Sequence, residues 1–167
     1  MQPVSGCGAR EPDAQPGHDT LMVNQPHEVT LHPEHVGRTV TLICGPPGSG
    51  KSTLARQMHA DALELESIIA DTWQLRLKLF GLACYRIGRN PIASVGIVRG
   101  APTQAERDHH ANLCKPSRTI VLLTPADVCH QRVTERSRPT VAGEHVAMDA
   151  WWDAWRREHA TTTTRVW

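Results

Sequence analysis

A single run of residues constrains this chain more than any other. Gly45-Pro46-Pro47-Gly48-Ser49-Gly50-Lys51-Ser52 fits the pattern G-x-x-x-x-G-K-[ST] in full, and Thr53 follows it. Before it stands Thr39-Val-Thr-Leu-Ile-Cys44, a β-branched apolar stretch bounded by glycine and proline that reads as a buried strand. A helix is expected after it, from Lys51 to about Ala60. A phosphate cradle needs this order. Glycines let successive backbone N–H groups turn inward without Cβ clashes, and the helix aims its positive end at the same point. Lys51 then reaches the β- and γ-phosphates, and the Ser52 hydroxyl coordinates Mg²⁺. The expected lining is Gly45, Pro46, Pro47, Gly48, Ser49, Gly50, Lys51, Ser52 and Thr53. The expected ligand is ATP or another nucleoside triphosphate, with Mg²⁺.

The rest of the chain reads as strands alternating with helices. Leu63-Glu-Leu-Glu66 alternates and predicts a second strand. Ser67–Phe80 carries Ile69, Trp73, Leu77 and Phe80 at helical spacing and is closed by Gly81. Ala93–Val98 predicts a third strand, and Thr103-Gln-Ala-Glu106 has capping-box form for a helix to about Leu113. Arg118–Leu123 predicts a fourth strand, Pro125 opens a helix to about Arg136, and Asp149–His159 forms a last amphipathic helix. This pattern predicts a three-layer α/β/α domain around a mainly parallel sheet of four to five strands. At 167 residues the chain has room for one such domain.

Residues 1–37 read as a mobile tail. They hold Arg10 against Glu11, Asp13, Asp19, Glu28 and Glu34, with five prolines and a short strand suggested at Glu28–Leu31. The domain is expected over 38–160, with 161–167 frayed. No apolar run is long enough for a membrane span, and the start Met-Gln-Pro-Val-Ser-Gly does not resemble a secretory signal. The scattered cysteines Cys7, Cys44, Cys84, Cys114 and Cys129 form no C-x-x-C pair, which argues against a zinc ribbon and for a reducing cytoplasm. The net charge of +1 excludes a global basic field. Between Arg76 and Arg138, however, eleven Lys/Arg face only Glu106, Asp108, Asp127 and Glu135, which suggests an anionic ligand.

A phosphate cradle does not identify a reaction, so the other polar positions matter. On the predicted second strand Glu64 and Glu66 share a side, at a strand end near the cradle. A carboxylate there can accept the proton of an attacking hydroxyl, with Glu66 favoured over Glu64 and Asp71 a rival placed inside the following helix. Arg132 and Arg136 lie one helical turn apart, with Arg138 beyond, and their guanidinium groups suit the charge on a transferring phosphoryl group. They precede Pro139-Thr-Val-Ala-Gly143, which reads as a lid loop.

On these residues the chain resembles the small P-loop kinases of the AAA-like family, which includes phage polynucleotide 5′-kinases. The resemblance rests on Gly45–Thr53, on Glu64–Glu66, and on Ile120–Arg132 continuing to Arg136 and Pro139. Gly96–Arg107 is also similar to a segment of actinobacterial and phage AAA proteins. The resemblance covers about 39–159. It implies an ATP-dependent phosphotransferase using a nucleotide or polynucleotide hydroxyl, possible partners being nucleic acids with a 5′-hydroxyl. NTP hydrolysis coupled to a partner protein, or nucleotide binding without catalysis, stand as alternatives. One departure is plain: where many such enzymes end the third strand with a Mg²⁺-holding acid, this chain has Arg99. Either Glu64 or Glu66 then takes over metal holding, with Ser52 and Glu64 as the assigned ligands, or metal binding is weak, while Arg99 contacts phosphate or simply leaves the sheet.

Histidines are numerous, densest at His32-Pro-Glu-His35 and His109-His110, but without metal-ligand spacing around them. Trp151, Trp152 and Trp155 are expected to pack on the sheet, with base stacking as the other option.

Overall fold

The computed structural model describes residues 27–31, 37–136 and 139–160. The strands among the described residues are β1 (His27–Leu31), β2 (Thr39–Cys44), β3 (Ala62–Glu64), β4 (Ser94–Arg99) and β5 (Arg118–Leu122). The helices are α1 (Lys51–Met58), α2 (Trp73–Arg89), α3 (Gln104–Cys114), α4 (Ala126–Glu135) and α5 (Val141–Ala160). The strands form one sheet in the order β1-β5-β2-β4-β3. Four of them, β5, β2, β4 and β3, are parallel, and β1 runs antiparallel along the β5 edge with His27 opposite Leu122. This is the predicted α/β class. The described part of the 1–37 segment contributes β1 to the sheet, and the remainder of that segment and 161–167 lie outside the described residues.

Strand β2 is central and buried on both faces, which explains why its sequence is an unbroken apolar run with one interposed hydroxyl. By period two, Val40, Leu42 and Cys44 face one side, where Phe80 and Cys84 of α2, Cys114 of α3 and Trp151 of α5 complete a core with Val95, Ile97 and Val121. Ile43 faces the other, where Ala55 of α1 joins Val98, Ile120 and Leu122. Contact there is close: a Cβ on Gly96 would come 2.9 Å from that of Ala55. Thr41, also on this face, places Oγ1 2.9 Å from His59 Nε2 and accepts from Arg118 Nε at 3.2 Å. Helix α4 rests on α5 through Cys129, Val133 and Met148.

Several boundaries differ from expectation. β3 ends at Glu64 and the chain turns into a 3₁₀ segment, Leu65–Ser67. That segment buries Leu65, which is 4% exposed, and swings Glu66 out to solvent. Glu64 and Glu66 therefore do not share a strand face. α2 begins at Trp73, capped by the Thr72 hydroxyl accepting from the Leu75 N–H, so Asp71 precedes the helix instead of lying within it. It also runs through Gly81 to Arg89, because the burial of Phe80, Cys84 and Gly88 holds a helix that one glycine weakens by only about 1 kcal/mol. α5 starts at Val141, with the Thr140 hydroxyl donating to Glu144, so Val141–Gly143 form a helical turn where a lid loop was expected.

Capping at Thr103 is as expected. Its hydroxyl accepts from the Glu106 N–H while Glu106 accepts from the Thr103 N–H. Among the described residues no helix is long and apolar enough to cross a membrane.

Candidate functional site

The loop Gly45–Gly50 connects the carboxyl end of β2 to α1, between the ends of β4 and β5. In open α/β sheets this is where ligands bind. The loop is fixed at three points. Gly45 N–H donates to the Gly100 carbonyl at 3.0 Å, Ser49 N–H to the Pro46 carbonyl at 3.2 Å, and the Thr124 hydroxyl to the Ser49 carbonyl at 3.0 Å. Gly48 has φ +79°, and a Cβ there would lie 2.6 Å from the Cys129 carbonyl. Only glycine meets both demands.

Helix α1 begins without a side-chain cap and without an acid in its first turn, so its leading N–H groups and its dipole are uncompensated at the loop. Lys51 lies over the loop, its ammonium donating to the Pro46 carbonyl at 2.5 Å. Removal from water pulls its pKa down to about 8, while the charge of Glu66 favours its ionised form and that of Arg136 opposes it. Ser49 Oγ is buried and has no hydrogen-bond partner among the described residues. A desolvated ammonium, an unsatisfied buried hydroxyl and an uncapped helix start fit a phosphate-bearing ligand.

Ser52 donates from Oγ to Glu64 Oε2 at 2.9 Å, and the other oxygen of Glu64 accepts from Arg56 Nη2 at 2.8 Å. A hydroxyl and a half-buried carboxylate side by side at the helix start form an oxygen donor pair suited to a hard cation such as Mg²⁺. Among the described residues no group of three or more His, Cys, Asp or Glu is arranged to hold a metal. Glu66, two residues on, is exposed and not tied to Ser52, yet its charge acts on Lys51.

Arg132 projects from α4 toward the loop, with Nη1 3.5 Å from the Gly48 carbonyl. Arg136 caps α4, is exposed, and adds its charge to the field at Lys51. Thr53 is exposed on α1. The loop, Lys51, Ser52, Glu64, Glu66, Arg132 and Arg136 thus converge on one end of the sheet; Arg138 lies outside the described residues. Cys129 Sγ donates to the Thr124 carbonyl at 3.4 Å, and burial pushes this thiol up to about 11, making it a structural support for the loop.

Arg99 turns the other way. Its Nε donates to His110 Nε2 at 3.1 Å and its guanidinium sits 5.0 Å from the centre of the Phe80 ring. Burial and the neighbouring Arg99 lower His110 to about 4, so it accepts as a neutral ring. His32–His35 lies outside the described residues. Trp151 is 4% exposed and donates from Nε1 to the Gly100 carbonyl at 2.8 Å, which ties α5 to the strand end that also anchors Gly45. Trp155 stacks on Trp151 and on His159. Sequence reasoning missed this second anchor, and also Arg107. That buried side chain donates to the Ala101 and Pro102 carbonyls and pairs with Glu158 at 3.3 Å, joining α3 to α5.

No protein-family model matches the chain, and no curated protein matches it. What the site does must come from its own chemistry.

Proposed function

We propose that the protein is a P-loop phosphotransferase that uses ATP, or another nucleoside triphosphate, and Mg²⁺. The observation that carries this reading is the Ser52–Glu64 pair, 2.9 Å apart at the start of the helix whose first residue is Lys51. Backbone N–H groups of Gly48 and Gly50–Ser52 and the Lys51 ammonium would hold the phosphates. Ser52 and Glu64 would hold Mg²⁺, which when bound neutralises charge on the phosphate oxygens.

Glu64 is occupied by Ser52 and Arg56, so Glu66 is the carboxylate left to accept a proton. In transfer, the acceptor oxygen bonds to the γ-phosphorus, the bond to the β,γ-bridging oxygen breaks, and the acceptor's proton passes to Glu66. Arg132 and Arg136 would steady the transferred group's oxygens. The basic stretch Arg76–Arg138 supports an anionic acceptor, such as a polynucleotide or nucleotide bearing a free hydroxyl. Buried free thiols at Cys44, Cys84, Cys114 and Cys129 support a reducing, cytoplasmic setting.

A second reading is favoured by one observation: α2 leaves Trp73, Leu75, Leu79 and Leu82 exposed, which suits nucleotide hydrolysis coupled to a protein partner. Incubation with labelled ATP, Mg²⁺ and a panel of 5′-hydroxyl oligonucleotides, nucleosides and small alcohols distinguishes them. Label on an acceptor supports transfer. Free phosphate alone supports hydrolysis, and binding without either leaves a nucleotide-binding module.

A further inference from the structure

Behind the P-loop, His130 of α4 and His145 of α5 meet edge to edge, their planes 14° apart, with ring centres 4.7 Å apart and Nδ1 atoms 2.5 Å apart. His130 Nε2 lies 3.0 Å from Asp149 Oδ1, and His145 Nε2 lies 3.3 Å from Thr134 Oγ1. The protons in this chain of contacts can be counted. A carboxylate only accepts, so His130 Nε2 carries a proton. The Thr134 hydroxyl donates to the His130 carbonyl at 2.9 Å, so toward His145 it accepts, and His145 Nε2 supplies the proton. Between the two Nδ1 atoms one proton is needed, because facing lone pairs or facing N–H groups repel. Three ring protons complete the chain. Two neutral imidazoles bring two, and two imidazolium rings bring four.

We propose that this cluster is a proton-counting clasp that joins α4 to α5 while the pair carries at most one positive charge and opens when both rings are charged. The proposal rests on the reading of Gly45–Ser52 as a triphosphate site, because that loop is what the clasp controls. Cys129, the neighbour of His130, supplies the carbonyl beneath Gly48, and Arg132 reaches the Gly48 carbonyl from the same turn. With both rings neutral, a proton on His145 Nδ1 keeps the inter-ring bond and sacrifices only the longer Thr134 contact. The first added proton restores that contact, and its charge is balanced by Asp149. The second sets two N–H groups head to head and two like charges in adjacent rings.

Most of the other charged groups on the two helices have partners away from the cluster. Glu135 accepts from Gln131, Glu144 from Thr140 and Asp153 from Arg156, while Arg132 faces the loop. Asp127 is exposed in the first turn of α4. The remaining α4–α5 contact is made by Cys129, Val133 and Met148 with Val141 and Trp152, and burial keeps the Cys129 thiol protonated.

The test uses the full chain and His145→Gln, whose amide can bond His130 Nδ1 but does not titrate. ATP affinity is measured by calorimetry from pH 8 to pH 5, and amide-exchange protection of α4 and α5 is measured over the same range without ATP. The phosphate's own titration is common to both proteins and cancels. Wild type should lose about tenfold more affinity than the variant toward pH 5, with protection of α4 and α5 falling only in wild type. Parallel profiles in both measurements would overturn the clasp. If neither protein binds ATP at any pH, the triphosphate reading fails and the exchange profiles alone judge the clasp. Asp149→Asn gives a second check should His145→Gln not fold. Without the balancing carboxylate, loss of protection should begin at higher pH than in wild type, and an unchanged profile counts against the proposal.

Discussion

The Ser52 hydroxyl donates to Glu64 across 2.9 Å, linking the first turn of α1 to the last residue of β3. The strand carrying Glu64 is the far edge of the sheet, yet its end returns to the Gly45–Gly50 loop because β4 alone separates it from β2. Glu64→Gln should keep the fold and weaken Mg²⁺-dependent nucleotide affinity by about 10- to 100-fold, leaving metal-free affinity nearly unchanged. Calorimetric titrations with and without Mg²⁺ measure the difference. An equal loss in both would remove Glu64 from the metal site.

Lys51 gives a pH signature. Its pKa of about 8 lies below the ordinary lysine value because burial disfavours the charged form. Between about 8 and the ordinary value the unfolded chain holds more protons than the folded one, so this group makes the ligand-free protein more stable as pH rises through that window. Phosphate would restore the charge, so ATP binding at pH 8.5 should take up protons, and affinity should fall as pH rises above about 8. Calorimetry in buffers of different ionisation enthalpy counts those protons. Lys51→Ala should abolish both uptake and turnover.

Glu66→Gln separates proton acceptance from binding. If Glu66 takes the acceptor's proton, kcat should fall by about 10² to 10⁴ with ATP affinity nearly intact. Arg132→Ala should also slow turnover, and added guanidinium should partly restore it, whereas guanidinium cannot replace the carboxylate. Wild-type turnover in Glu66→Gln would remove the assignment, and Glu64 and Asp71 would then be tested.

Gly88 lies where α2 crosses α3, and a Cβ there would fall 2.1 Å from the Leu113 carbonyl. Gly88→Ala should cost about 1–3 kcal/mol by forcing the helices apart. Gly81→Ala, at a helical position with nothing within 4 Å of the added Cβ, should instead raise stability slightly. Chemical denaturation of both variants provides the comparison.

Deleting residues 1–36 tests the N-terminal segment. Composition reads most of this segment as a mobile tail, but β1 pairs with β5 along its whole length. The truncated protein should melt lower and self-associate through the exposed β5 edge, as light scattering would detect. An unchanged, monomeric protein would show that the pairing contributes nothing.

The strand–loop–helix unit around Gly45–Ser52 was legible because its glycines and the adjoining strand and helix follow from short-range pattern. The convergence of Glu64, Arg132 and Arg136 on that loop followed from strand order. Where local pattern misled, tertiary packing decided the outcome. Leu65 and Glu66 alternate like a strand, but the core captures Leu65 through a 3₁₀ turn. Gly81 looks like a helix stop, but Phe80 and Cys84, one turn apart across it, are both buried on one face of α2. The His130–His145 contact spans two helices at fifteen residues' separation and leaves no local signature.

The β1–β5 pairing also bears on how the chain is made. His27 emerges from the ribosome long before Leu122, its partner in the register. Throughout that interval the first strand has no sheet to join, and β5 itself must dock beside β2 before offering an edge. Of the sheet's pairings this one closes the longest loop, so β1 is the strand expected to arrive last during folding although it is synthesised first.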